Sequence, residues 1–226
     1  LLDNASSLLY TDKIGGINRM LIDKSITGFL AELKSDSPAP GGGSAAALVG
    51  AIGAALGIMV GNLTIGSAKY ETVHEQCKEV SLDFEERLAS LEKYIDEDTE
   101  AFKQVMKAYK LPKNTDEEKQ VRIKAIQEFL KAASTLPFTV ARTCLDVLEL
   151  SVKILSIGNV NAASDAAVAG RMAEAAMWSA IYNVRINLGS IKDADFVADM
   201  KSRVEDIVAR SEVLMDQLVK TANEKI

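Results

Sequence analysis

Residues 37–68 read SPAPGGGSAAALVGAIGAALGIMVGNLTIGSA, thirty-two positions without a charged side chain. Eight of the fourteen glycines in the chain fall between Gly41 and Gly66. Two prolines fix an extended approach, three glycines free the backbone, and an uninterrupted Gly/Ala/apolar run follows. Gly53, Gly57 and Gly61 recur at every fourth position, which on a helix lays them along one ridge bare of side chains where a second helix can come close. The run is long enough to cross a bilayer, but its flanks (Lys34, Asp36, Lys69, Glu71) show no charge bias and no second such segment exists. The preferred reading is a central helix buried on all sides, with a subunit interface as one way to cover it.

Helical spacing continues on both sides. Ser25 can cap a short helix carrying Ile26, Phe29, Leu30 and Leu33 that ends before Pro38. From Lys69 to Lys110, Val73, Cys77, Val80, Phe84, Leu91, Ile95, Phe102 and Val105 recur every three or four residues. Thr115 with Glu118 forms a capping box for the next helix, which Pro137 is expected to kink or divide before Gly158. Further helices are expected from about Ala162 to Leu188 and from about Asp193 to Asn223, and no stretch alternates long enough to make a strand. The expected fold is therefore all-α, a bundle of six to seven helices around the Gly/Ala-rich one. Residues 1–17 are set apart as a leader, foreign or disordered, and residues 18–226 as one domain.

The chain has 226 residues, 48% of them hydrophobic and 26% charged, enough for a core that needs neither disulfide nor metal. A formal charge of -6 argues against nucleic acid and anionic membranes as partners. Cys77 and Cys144 sit at apolar positions far apart and read as core residues, which suits a reducing, cytoplasmic setting. His74 is the lone histidine, so a His-based metal site or a Ser-His mechanism is disfavoured; it reads as a half-exposed helix residue.

Three polar features stand in apolar places. At about 100° per residue, Asp98 falls in the middle of the stripe made by Phe84, Leu91, Ile95, Phe102 and Val105, while Asp96, Glu97 and Glu100 point towards solvent. A lone carboxylate there would lose solvation and become a proton shuttle; alternatively it pairs with Arg87 or another cation. Asp165, Ser179, Asn183 and Asn187 fall on one line of the next-to-last helix, among small residues, either to bind something flat or to join helices through a polar network. Trp178 and Tyr182 read as core. The free N–H groups of Gly42, Gly43 and Ser44 can hold an anion or a polar ring edge, or simply make a tight turn.

In order and spacing, PAPGGGSAAA (Pro38 to Ala47), IDEDTEAF (Ile95 to Phe102), LPKNTDEE (Leu111 to Glu118), the GN-x4-SD stretch (Gly158 to Asp165) and NVRINL (Asn183 to Leu188) resemble the cyclodeaminase family. That family includes the cyclodeaminase domain of formiminotransferase-cyclodeaminase and stand-alone methenyltetrahydrofolate cyclohydrolases. The resemblance implies a helical homodimer that takes a tetrahydrofolate one-carbon derivative and needs no metal, nucleotide or other cofactor. Asp98 matches the family's catalytic aspartate. Gly42, Gly43 and Ser44 would line the folate pocket, and Asp165, Asn183 and Asn187 would read the pterin edge. Lys69 or Arg171 is the candidate cation for the glutamate tail. Formation of the methenyl bridge from formiminotetrahydrofolate with loss of ammonia is the leading expectation. Hydrolysis of that bridge is the alternative, and a non-catalytic folate-binding or scaffold protein is the rival from another class.

Overall fold

The computed structural model describes residues 20–226; the expected leader lies outside the described residues. Six α-helices follow one another: α1 (Ile26–Leu33), α2 (Gly42–Ile65), α3 (His74–Tyr109), α4 (Asp116–Ile157), α5 (Ala163–Leu188) and α6 (Ala194–Lys225). Short 3-10 turns stand at Leu21–Asp23, Ala68–Val73 and Val160–Ala162, and no strand occurs among the described residues.

Local chemistry explains the boundaries. The Ser25 hydroxyl accepts from the Gly28 N–H at the start of α1, and the Asp193 carboxylate accepts from the Phe196 N–H at the start of α6. Thr115 and Glu118 close the capping box of α4 in both directions. The third helix begins five residues later than its periodicity suggests, because Ala68–Val73 turns the chain away from α2 in 3-10 geometry first. His74 opens α3, half-buried, with Nε2 3.0 Å from the Ser67 carbonyl oxygen.

The second helix is the spine, packed between α3 and α5 with α4 behind it. Bare backbone at its glycines permits this. A Cβ on Gly57 would stand 2.3 Å from the Phe84 ring, one on Gly50 2.7 Å from Cys144 Sγ, and one on Gly53 3.0 Å from the Ala169 carbonyl of α5. Around this spine Phe84, Leu91, Ile95, Leu145, Leu148, Ile154, Met177 and Ile181 form the core, joined by both cysteines. Burial of those side chains, at roughly 1.5–3 kcal/mol each, is the main force assembling the bundle.

Three expectations are corrected. Burial of α2 is not all round: Ile52, Met59 (37% exposed) and Leu63 (48%) line an outward face, because α3, α4 and α5 cover the rest of the helix and nothing among the described residues covers that side. Tyr182 is not core but 62% exposed, while Trp178 is half-buried with its ring 6.1 Å from that of Tyr182. Of the two outcomes expected at Pro137, a kink or a division, the division does not occur: α4 runs unbroken for 42 residues.

Candidate active site

The N-terminus of α2 starts against α3. Counting from Gly41 as the N-cap, Ser44 holds the third helical position, where the backbone N–H has no partner within the helix. Asp98 supplies one from outside: its Oδ2 accepts from the Ser44 N–H at 3.0 Å and stands 3.3 Å from the Ser44 hydroxyl. That hydroxyl has one proton and two acceptors in reach, Asp98 Oδ2 and the Ile95 carbonyl at 2.8 Å, and it lies 3.3 Å from the Thr99 hydroxyl. A Cβ on Gly43 would fall 2.1 Å from Asp98 Oδ1, so only glycine permits this approach. Oδ1 accepts no hydrogen bond from the described residues and is the oxygen left for a ligand.

Opposing influences act on this carboxyl. Burial raises its pKa above the ordinary aspartate value, and the two Ser44 donors pull it partly back. Arg87 does not pair with it: that guanidinium turns to Asp146 at 3.3 Å and Glu86 at 2.8 Å, three turns away from Asp98 along α3. Among the described residues no cation forms a salt bridge with Asp98.

Beside Asp98 lies a cleft of about 360 Å³, within the range of small-ligand sites. Gly41 and the first residues of α2, Gly42 and Gly43, line it together with Phe102, Val105, Met106 and Tyr109 of α3 and Leu130 and Ala133 of α4. Asn183, Ile186 and Asn187 of α5 complete it. Both asparagines are partly buried and have their amide nitrogens occupied. Asn183 Nδ2 donates to the Ser179 carbonyl at 2.8 Å and Asn187 Nδ2 to the Ala133 carbonyl at 2.7 Å. Each bond uses one of the two amide hydrogens and fixes the orientation of the amide, and neither Oδ1 accepts a hydrogen bond from the described residues. The site thus offers one proton-carrying oxygen, two amide acceptors and an apolar slot.

Gly42, Gly43, Asp98, Asn183 and Asn187 therefore share one cavity, with Ser44 directly behind Asp98. Asp165 does not join them. It stands in the first turn of α5, eighteen residues before Asn183, or roughly 27 Å along the axis; residues on one line of a helix share a direction, not a place. Lys69 sits beyond the far end of α2 over the Tyr70 ring, and Arg171 is paired with Glu174 on the surface, so neither lines the cleft. Asp96 is no solvated bystander either: its carboxylate accepts from the backbone N–H groups of Leu21 and Ile22 and ties the first 3-10 turn to α3. No group of three metal-binding side chains forms among the described residues.

Residues 25–206 match the family model described as formiminotransferase-cyclodeaminase. The chain belongs to this family. Methenyltetrahydrofolate cyclohydrolase of Methylorubrum extorquens is 42% identical over 204 residues, covering 90% of this chain and 98% of that protein. Formimidoyltransferase-cyclodeaminase of Mus musculus is 35% identical over 193 residues, which span 85% of this chain but 36% of the mouse protein. Among solved structures, formiminotetrahydrofolate cyclodeaminase of Thermotoga maritima superposes with a TM-score of 0.80 at 31% identity, covering 89% of this chain and 97% of that one. The cyclodeaminase fold expected from the five motifs is thus the fold found.

Proposed function

We propose that this chain is a folate one-carbon enzyme that works on the bridge carbon of tetrahydrofolate, with Asp98 as its general acid and base. The observation that carries the proposal is a carboxyl raised in pKa by burial, with no cation paired to it among the described residues, one oxygen held by Ser44 and the other accepting from none of them beside a cleft. Such a group takes and returns a proton near neutrality more readily than an exposed aspartate.

In the leading reading the substrate is formiminotetrahydrofolate. The amine of the aminobenzoyl arm attacks the formimino carbon and forms a tetrahedral centre. The formimino group enters protonated as the amidinium, Asp98 accepts the proton of the attacking nitrogen and passes it to the resulting amino group, and that nitrogen leaves as ammonia while the cationic methenyl bridge remains. Gly42 and Gly43 line the pocket by backbone, Asn183 and Asn187 accept from the N–H edge of the pterin, and Phe102 and Tyr109 flank the rings. A second reading, opening of the methenyl bridge by water, is favoured by the cyclohydrolase relative that matches over 98% of its length. There Asp98 takes a proton from water and returns it to the ring nitrogen that departs.

Absorbance at the methenyl band decides between them. Formimino substrate should give a growing band in the first case, and methenyl substrate a catalysed loss in the second. Neither change, with no binding of folinic acid at millimolar concentration, would leave only the scaffold reading.

The same reading includes a homodimer and a cytoplasmic setting. Ile52, Met59 and Leu63 of α2 with Val168, Tyr182 and Ile186 (74% exposed) of the adjoining α5 leave apolar surface uncovered, which a second copy would bury. Sedimentation at micromolar concentration should return twice the chain mass, and Met59→Glu should return the monomer.

A further inference from the structure

The long fourth helix contains a proline and stays continuous, so one backbone hydrogen bond of the regular pattern is absent. Pro137 has no N–H, and the carbonyl that would accept from it, four residues earlier, belongs to Ala133. Pro137 itself is buried, and Ala133 lines the active-site cleft. The orphaned acceptor is not left to water: Asn187 Nδ2 reaches across from α5 and donates to it at 2.7 Å. An asparagine side chain offers donors on one atom and an acceptor on the other. With one amide hydrogen committed to Ala133, the Asn187 amide cannot flip without losing that bond, and its Oδ1, which accepts from no described residue, stays available to the cleft.

We propose that Pro137 is a positioning residue of the ligand site. By deleting one N–H from α4 it reserves the Ala133 carbonyl for Asn187, and the resulting bond fixes Asn187 as an acceptor in the cleft. This inference rests on the folate reading of that cleft, because a reduced pterin presents N–H donors there. Asn183 shows the same economy by other means: its amide donates to the Ser179 carbonyl one turn back on its own helix. Two acceptors one turn apart on α5 then face the same ligand edge, one set locally and the other set from α4. A residue with an N–H at position 137 would compete for the Ala133 carbonyl and free the Asn187 amide to rotate.

The experiment is a double-mutant cycle read by calorimetry with folinic acid and by steady-state kinetics. Pro137→Ala should raise the Kd for folinic acid and the KM by about fivefold, the weight of one oriented hydrogen bond, while kcat stays within about twofold. Asn187→Ala should cost a similar factor in the parent chain but little more in the Pro137→Ala background, since the two act through one bond. Additive losses, or parent-like binding by Pro137→Ala, would overturn the assignment. A parent chain that binds no folinic acid would sink the folate reading instead. One measurement needs no variant: a side-chain amide proton of Asn187 should exchange slowly in the parent protein, and free exchange would equally overturn the proposal.

Discussion

At its N-terminal end α2 meets Asp98 across Gly43, and about four turns further on it meets Phe84 across Gly57. Geometrically the two contacts are alike. An added Cβ would stand 2.1 Å from Asp98 Oδ1 in one and 2.3 Å from the ring of Phe84 in the other. Physically they are opposites. Phe84 is fully buried in close-packed core and has nowhere to go, so that glycine serves stability. Asp98 has a cleft beside it, so Gly43 serves the placement of one carboxyl group. One structural device, a helix without side chains at chosen points, therefore serves core packing at one end and chemistry at the other. The two effects can be separated by substitution.

The largest expected effect is Asp98→Asn. An amide still accepts from the Ser44 N–H, so the start of α2 is preserved, but no proton can be shuttled. Turnover should fall on the order of 100-fold or more. Stability should not fall with it. Burial holds the folded-state pKa of Asp98 above its unfolded value, so the carboxyl favours folding most at low pH and that advantage fades as pH rises through the folded pKa. At neutral pH the asparagine variant escapes this loss, and its Tm should equal or exceed that of the parent. A Tm several degrees lower, with turnover lost, would mean that Asp98 is a structural cap and not the proton carrier.

Next come the matched alanines. Gly43→Ala should cut kcat between about tenfold and 100-fold, because displacement of a catalytic group by about 1 Å is enough for that. Its urea midpoint should move little, since the carboxylate can swing into the cleft. Gly57→Ala should do the reverse. With the Cβ 2.3 Å from a fully buried ring, the overpacking cost falls in the upper part of its range of about 1–3 kcal/mol and so outweighs the roughly 1 kcal/mol that alanine gains over glycine within a helix, while kcat per folded molecule should stay unchanged. Equal loss of stability in both variants would erase the distinction between the two ends.

How much of this contrast is legible without coordinates depends on which dimension a pattern encodes. The angular position of Asp98 among Phe84, Leu91, Ile95 and Phe102 is visible from periodicity alone, and the Gly53-Gly57-Gly61 ridge announces a helix that others approach closely. The same projection groups Asp165 with Asn183 and Asn187, and there it fails, because a helical wheel discards height along the axis. Exposure of one face of α2 is also invisible: glycine, alanine and isoleucine carry no mark of whether their neighbour is α5 or none of the described residues. The link between Pro137 and Asn187 spans fifty residues and two helices. No local rule connects a missing N–H to the side chain that replaces it.

The smallest effect gives the sharpest reading of the catalytic end. Ser44→Ala removes the hydroxyl 3.3 Å from Asp98 Oδ2 and keeps the backbone N–H that donates to the same oxygen. One of the two influences that lower this pKa disappears while burial, the larger influence and the one that raises it, stays. The carboxyl should therefore ionise at higher pH. If Asp98 works first as a base, kcat/KM falls on the acid side as this group becomes protonated, so that limb should move to higher pH in the variant while the plateau changes only a few-fold. A limb that belonged to the substrate would not move at all. No shift in the limb, with the fold intact, would assign the acid-side titration to the ligand, whereas a shift to lower pH would mean that the hydroxyl donates elsewhere and that Asp98 is held by backbone alone.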